Sequence, residues 1–197
     1  YSSDNLFPFT WDTKPLGIKA LYEKRNLKVE ETFSDLTGDI PIYIEVDDVP
    51  FGSTKARLSI KLLDGNIRNF DYTARVEDIK TAQELLNTIT NELNNTYNKG
   101  QNLTNLFKMD FVQGTSESGL VKSNRLSEYT MQDILSDEKK TKRALSFLNI
   151  RLSANFPDGK KRISIFMYKS KINNGDNDIQ VKLSYVKNKY NFPSSLF

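Results

Sequence analysis

Apolar and polar residues along this chain alternate with a period of two in several stretches and with spacings of three and four in others. After Pro41, Ile42, Ile44 and Val46 alternate with Tyr43, Glu45 and Asp47, the pattern of a strand buried on one face. Ala56, Leu58, Ile60 and Leu62 repeat it. Beyond the turn signal Asp64-Gly65, Phe70, Tyr72 and Ala74 supply a further inward row, so residues 56–74 read as a hairpin. The period then changes. Ile79, Ala82, Leu86, Ile89 and Leu93 fall on one face of a helix of about five turns, with Asp78 placed to cap it.

Further along, Phe107, Met109 and Phe111 suggest a short strand, and residues 130–147 read as helical in two pieces, with Ser136 as a cap between them and Asp137 and Glu138 in the first turn of the second. Strict alternation returns at Leu148, Ile150, Leu152, Ala154 and Phe156, turns at Pro157-Asp158-Gly159, comes back through Ile163, Ile165 and Met167, and turns again at Asn173-Asn174-Gly175 into Ile179, Val181, Leu183 and Tyr185. Short turns between strands imply antiparallel pairing. The expected fold is therefore α+β, with antiparallel strands in two meanders at about residues 41–74 and 148–186 and two main helices between them. We expect one domain over residues 1–197, with an apolar arm at about residues 1–14 that carries Phe7, Phe9 and Trp11. Before the first meander, Pro15 to Lys24 suggests a short helix, and Leu27, Val29 and Phe33 a strand.

Composition narrows the chemistry. A chain of 197 residues with 38% hydrophobic and 27% charged residues has enough apolar material for a core. It contains no histidine and no cysteine, which excludes disulfides, the usual Cys/His zinc sites, a cysteine nucleophile and a Ser-His-Asp triad. No apolar run reaches the roughly 18 residues needed to cross a bilayer as a helix. Because the chain starts at Tyr1, a segment removed upstream is expected, either a cleaved leader or anchor or a trimmed portion. Lack of cysteine suits an exported protein as well as a cytosolic one, and we favour an exported or envelope-associated bacterial setting. The net charge of +3 is unevenly spread: residues 1–100 hold 12 Lys/Arg and 16 Asp/Glu, a balance of −4, and the remainder carries +7. A basic C-terminal half can attract an anionic partner or simply be solvated.

Four groups of residues remain as candidate chemistry. Glu45, Asp47 and Asp48 end a strand, with Glu45 and Asp47 on one face; mutual repulsion would raise a carboxyl pKa for acid–base work, or the group would hold a divalent cation. Arg151 and Lys182 flank Phe166 and Tyr168 on neighbouring strands, an array suited to stacking on single-stranded nucleic acid. The polar stretch 113–124, with Gly114, Glu117 and Gly119, lacks periodicity and reads as a loop that presents itself to a partner. Its lysine stands too far from the second glycine for a phosphate-binding loop, because Leu120 and Val121 intervene. Trp11 in the apolar arm is the fourth, as an aromatic anchor.

Two Ser-x-x-Lys matches, at Ser136 and Ser184, read as a helix cap and as a strand whose i and i+3 positions face opposite sides. Asn174, Asp176 and Asp178 lack the closing glutamate of a calcium loop. By elimination, the expected function is a non-enzymatic binding protein that engages a protein partner and uses no cofactor. The alternatives are a hydrolase or metal-dependent enzyme built on Glu45, Asp47 and Asp48, and single-stranded nucleic-acid binding by the basic half.

Overall fold

The computed structural model describes residues 6–36, 38–97, 106–113, 128–156, 159–169 and 178–188. In chain order the elements are α1 (Pro15–Glu23), β1 (Val29–Thr32), β2 (Tyr43–Phe51), β3 (Thr54–Leu63), β4 (Asn66–Val76), α2 (Ile79–Tyr97), β5 (Lys108–Gln113), α3 (Met131–Ser136), α4 (Glu138–Leu145), β6 (Leu148–Asn155), β7 (Lys161–Lys169) and β8 (Ile179–Lys187). The fold is α+β and mostly sheet. Its eight strands form one antiparallel sheet in the order β1-β2-β3-β4-β8-β7-β6-β5, so both strand groups of the sequence pattern enter a single sheet.

The chain divides into two compact units, whose boundaries fall inside β4, β6, β7 and β8. The first comprises the described residues within 1–73, 155–163 and 184–197. Here the β2–β3–β4 register sets Ile44 opposite Ile60, Val46 opposite Leu58, Ile60 opposite Phe70 and Leu58 opposite Tyr72, all buried. Side chains directly opposite each other on one face are the stabilising unit of a sheet. The β3–β4 turn has φ of 51° at Asp64 and 75° at Gly65, the two positive values that a two-residue hairpin of matching twist requires.

Aromatic rings fill the rest of this core. Phe7, Phe9 and Trp11 lie with ring centroids 5.3, 5.0 and 5.4 Å from Phe70, and Trp11 meets Tyr185 edge-on at 4.9 Å. Such pairs each add about 0.5–1.5 kcal/mol beyond their burial. Tyr72 Oη donates to the Leu6 carbonyl at 2.5 Å, which fixes the start of the arm. Pro15 opens α1 in the position where a missing N–H costs nothing, and Ile18 and Tyr22 turn its buried face inward.

The second unit comprises the described residues within 74–154 and 164–183. Asp78 Oδ1 accepts from the Thr81 amide at 2.7 Å at the start of α2. The buried face of α2 is wider than the sequence periodicity predicts, because Gln83, Thr90 and Glu92 are buried beside Ala82, Leu86, Ile89 and Leu93. The reason is the α3–α4 pair, whose polar atoms reward a polar flank on α2: Gln83 Nε2 donates to the Ile134 carbonyl at 2.8 Å and to Thr141 Oγ1 at 3.1 Å. Thr141 Oγ1 also donates to Ile134, at 2.9 Å. Burial pushes the Glu92 carboxyl above its ordinary range, and among the described residues its Oε1 has no hydrogen-bond partner.

The α3–α4 junction corrects one expectation. Asp137, not Ser136, caps α4 by accepting from the Lys140 amide at 3.0 Å, while Ser136 Oγ donates back to the Gln132 carbonyl at 2.6 Å. Ser136 still has helical backbone, so its hydroxyl meets a carbonyl of the preceding turn and no free amide. Thr130 and Asp133 form a reciprocal capping box at the start of α3.

Candidate functional site

The carboxylates at the end of β2 do not stand free. Between Val46 and Val49 the β2–β3 register shifts by one residue, and Asp48 takes a φ of 58° in this bulge. Arg57, from β3, donates to Asp47 Oδ1 at 2.9 Å and also to Glu45 Oε2. Its hydrogen bond to Glu45 is the main cause holding the guanidinium above its ordinary value. A cation shared by two carboxylates removes the repulsion on which an acid–base pair would depend. Among the described residues, no three acidic side chains are grouped so as to hold a metal ion.

Of the residues considered for stacking on nucleic acid, Arg151 is similarly committed. Asp110 on β5 is the cross-strand partner of Arg151 on β6, and the guanidinium bonds both carboxylate oxygens, with Nε 2.8 Å from Oδ1. Phe166, Tyr168 and Lys182 are half-buried. Trp11, also half-buried, has its ring among those of Phe70 and Tyr185, so the arm belongs to the core of the first unit. Gly114, Glu117 and Gly119 lie outside the described residues, as do Asn174 and Asp176.

What the sequence pattern did not single out is a set of exposed apolar side chains in the first unit. Leu36 is 98% and Leu16 82% exposed, and Phe33, Ile40 and Leu63 are each about half exposed. Two of them, Ile40 and Leu63, lie at the β3–β4 turn. A Cβ placed on Gly65 would lie 3.7 Å from Ile40 Cγ2, and the Leu62 amide donates to the Ile42 carbonyl at 2.9 Å, so the end of the connection that carries Phe33, Leu36 and Ile40 runs beside the turn. Lys14 Nζ donates to Asn66 Oδ1 at 2.6 Å, which ties the residue before α1 to the same turn, two positions ahead of Leu16 in the chain. Isolated exposed leucines are ordinary, whereas neighbouring ones mark contact surfaces. The available signal in the sequence was three apolar residues, Phe33, Leu36 and Ile40, in a connection rich in turn formers.

Beside Leu63 a cleft of about 310 Å³ opens between the β3–β4 turn and the end of β8. Leu63 and Ile67 form its apolar wall; Asp64, Asn66, Arg68, Lys187 and Asn188 supply its polar groups. A second, shallower depression of about 570 Å³ is lined by Gly17, Ala20, Leu21, Lys24 and Arg25 along α1. Comparison with family models, with curated proteins and with solved structures finds no match to this chain.

Proposed function

We propose that this chain is a non-enzymatic binding module that engages a protein partner through the apolar end of its first unit. The observation that carries this reading is the exposure of Leu16, Phe33, Leu36, Ile40 and Leu63 in the first unit, with Ile40 and Leu63 at the β3–β4 turn and Leu36 and Leu16 almost wholly in solvent. Fully covering a leucine-sized side chain contributes about 1.5–3 kcal/mol, so a partner that covers several of the five gains a usable driving force. The carboxylate alternative has less support, since Arg57 already pairs with Glu45 and Asp47. The nucleic-acid alternative loses the charge of Arg151 to Asp110. A cysteine-free chain is consistent with an exported or envelope-associated setting, which we retain as part of the proposal.

The test is site-specific photo-crosslinking in the cells that make the protein, with the photoreactive residue at Leu36 or, as a control, at exposed Asn91 on α2. A discrete adduct from Leu36, weakened by Leu16→Ser and not obtained from Asn91, is expected. Adducts that are equal at both positions, or insensitive to Leu16→Ser, would sink the reading.

A further inference from the structure

The cleft beside Leu63 gives the proposed partner a chemistry. The β3–β4 register pairs Lys61 with Asn69 and then Leu62 with Ile67, which leaves Arg68 unopposed in a bulge. Bulges re-aim side chains out of the regular alternation. This one delivers a guanidinium to the cleft wall while Ile67 stays buried. Lys187, at the last position of β8, lines the same cleft. Among the described residues, neither cation has a carboxylate within 4.0 Å, whereas Arg57 and Arg151 are both paired. The cleft holds one carboxylate of its own, Asp64, and Lys14 adds a third cation at Asn66. Positive charge is thus in excess beside exposed Leu63, which lines the cleft, and Ile40 lies at the same turn.

We infer that the cleft formed by Leu63, Ile67, Arg68 and Lys187 accepts an acidic side chain of the partner, and that the partner segment therefore sets an Asp or Glu beside Leu, Ile or Phe. The inference rests on the binding reading above. Arginine's planar fork matches a carboxylate in a two-bonded arrangement, and lysine adds a point charge. The neighbouring leucine and isoleucine surface takes the apolar residues of the same segment, which favours a peptide over a lone phosphate.

The test pans a library of random linear 12-residue peptides, displayed on phage, against the whole chain and measures enriched peptides by fluorescence anisotropy. Sequences that combine acidic with apolar residues are expected. Their affinity should fall at least tenfold for the double variant Arg68→Ala/Lys187→Ala, fall for Leu63→Ser, recover in part with Arg68→Lys in place of Arg68→Ala, and weaken as salt is raised. Unchanged denaturant midpoints establish that the variants remain folded. Failure to enrich any sequence, enrichment without acidic residues, or affinity that ignores the double variant overturns the inference. So does flotation of the chain with vesicles of phosphatidylglycerol and phosphatidylcholine that depends on Arg68 and Lys187, because the anion recognised would then be a lipid headgroup. If the Leu36 adduct survives in the double variant, this inference falls while the binding reading stands; if no Leu36 adduct forms in the wild type, the reading itself has failed.

Discussion

The first unit contains two apolar regions that a composition count would not distinguish. In one, Phe7, Phe9 and Trp11 enclose Phe70 with Tyr72 and Tyr185, and Tyr72 Oη is bonded to the Leu6 carbonyl. In the other, Leu16, Phe33, Leu36, Ile40 and Leu63 face solvent, Ile40 and Leu63 at a hairpin turn. The difference is one of partners within the chain. Aromatics in the arm find rings on β4 and β8, whereas the second set stays about half exposed or more. An apolar residue thus reports on stability in the first region and on association in the second.

Substitutions can break this contrast. Phe70→Ala removes the ring on which Phe7, Phe9, Trp11 and Tyr185 converge. It should cost about 3–5 kcal/mol, the usual range for a buried phenylalanine, measured by denaturant unfolding. A loss under 1 kcal/mol would show that the rings are not a packed core.

High pH offers a gentler probe of the same region. Burial pushes the Tyr22 hydroxyl up to about 12 from 10.0, and burial likewise raises Tyr72 well above its ordinary value. In the unfolded chain these phenols ionise near 10, so their contribution to stability is complete below pH 10 and is lost as pH rises from there through about 12. Each group contributes a slope of about 1.4 kcal/mol per pH unit in that window. Unfolding midpoints measured from pH 9 to 12 should therefore fall steeply, and Tyr22→Phe should flatten the fall. A profile unchanged by Tyr22→Phe would contradict the assignment.

The smallest effect on stability is expected from Leu36→Ser, within about 0.5 kcal/mol, because nothing covers this side chain. The same change should abolish partner association. A substantial loss of stability would move Leu36 from the contact surface into the core and erase the contrast.

Local pairing was legible from the sequence wherever alternation and turn chemistry agreed. Asp64-Gly65 flanked by alternating rows is a hairpin in the structure, and Asp78 caps α2 as its position suggests. The β2 bulge was not legible. Nothing in Glu45-Val46-Asp47-Asp48 announces that Asp48 takes a left-handed φ, and only the register shows Arg57 between the two carboxylates. The buried polar flank of α2 was missed for a similar reason: Gln83 is polar in any periodicity plot, and its burial depends on Ile134 and Thr141, more than 50 residues away. The exposed apolar residues were hidden because Phe33 read as part of a strand with Leu27 and Val29, whereas β1 ends at Thr32, and Leu36 and Ile40 lie in a connection with no period to reveal whether they face inward.

The strand order also governs when the parts of the chain can meet. Every neighbouring pair in the sheet is consecutive in sequence except β4 and β8. Local hairpins close cheaply and quickly, while a pairing between residues near 70 and residues near 183 must await a long loop closure. Trp11 precedes Tyr185 by 174 residues in the chain, yet their rings lie 4.9 Å apart in the finished fold. During synthesis the aromatic arm therefore lacks one of its ring partners until β8 has been made, and completion of this core is timed by the arrival of that strand.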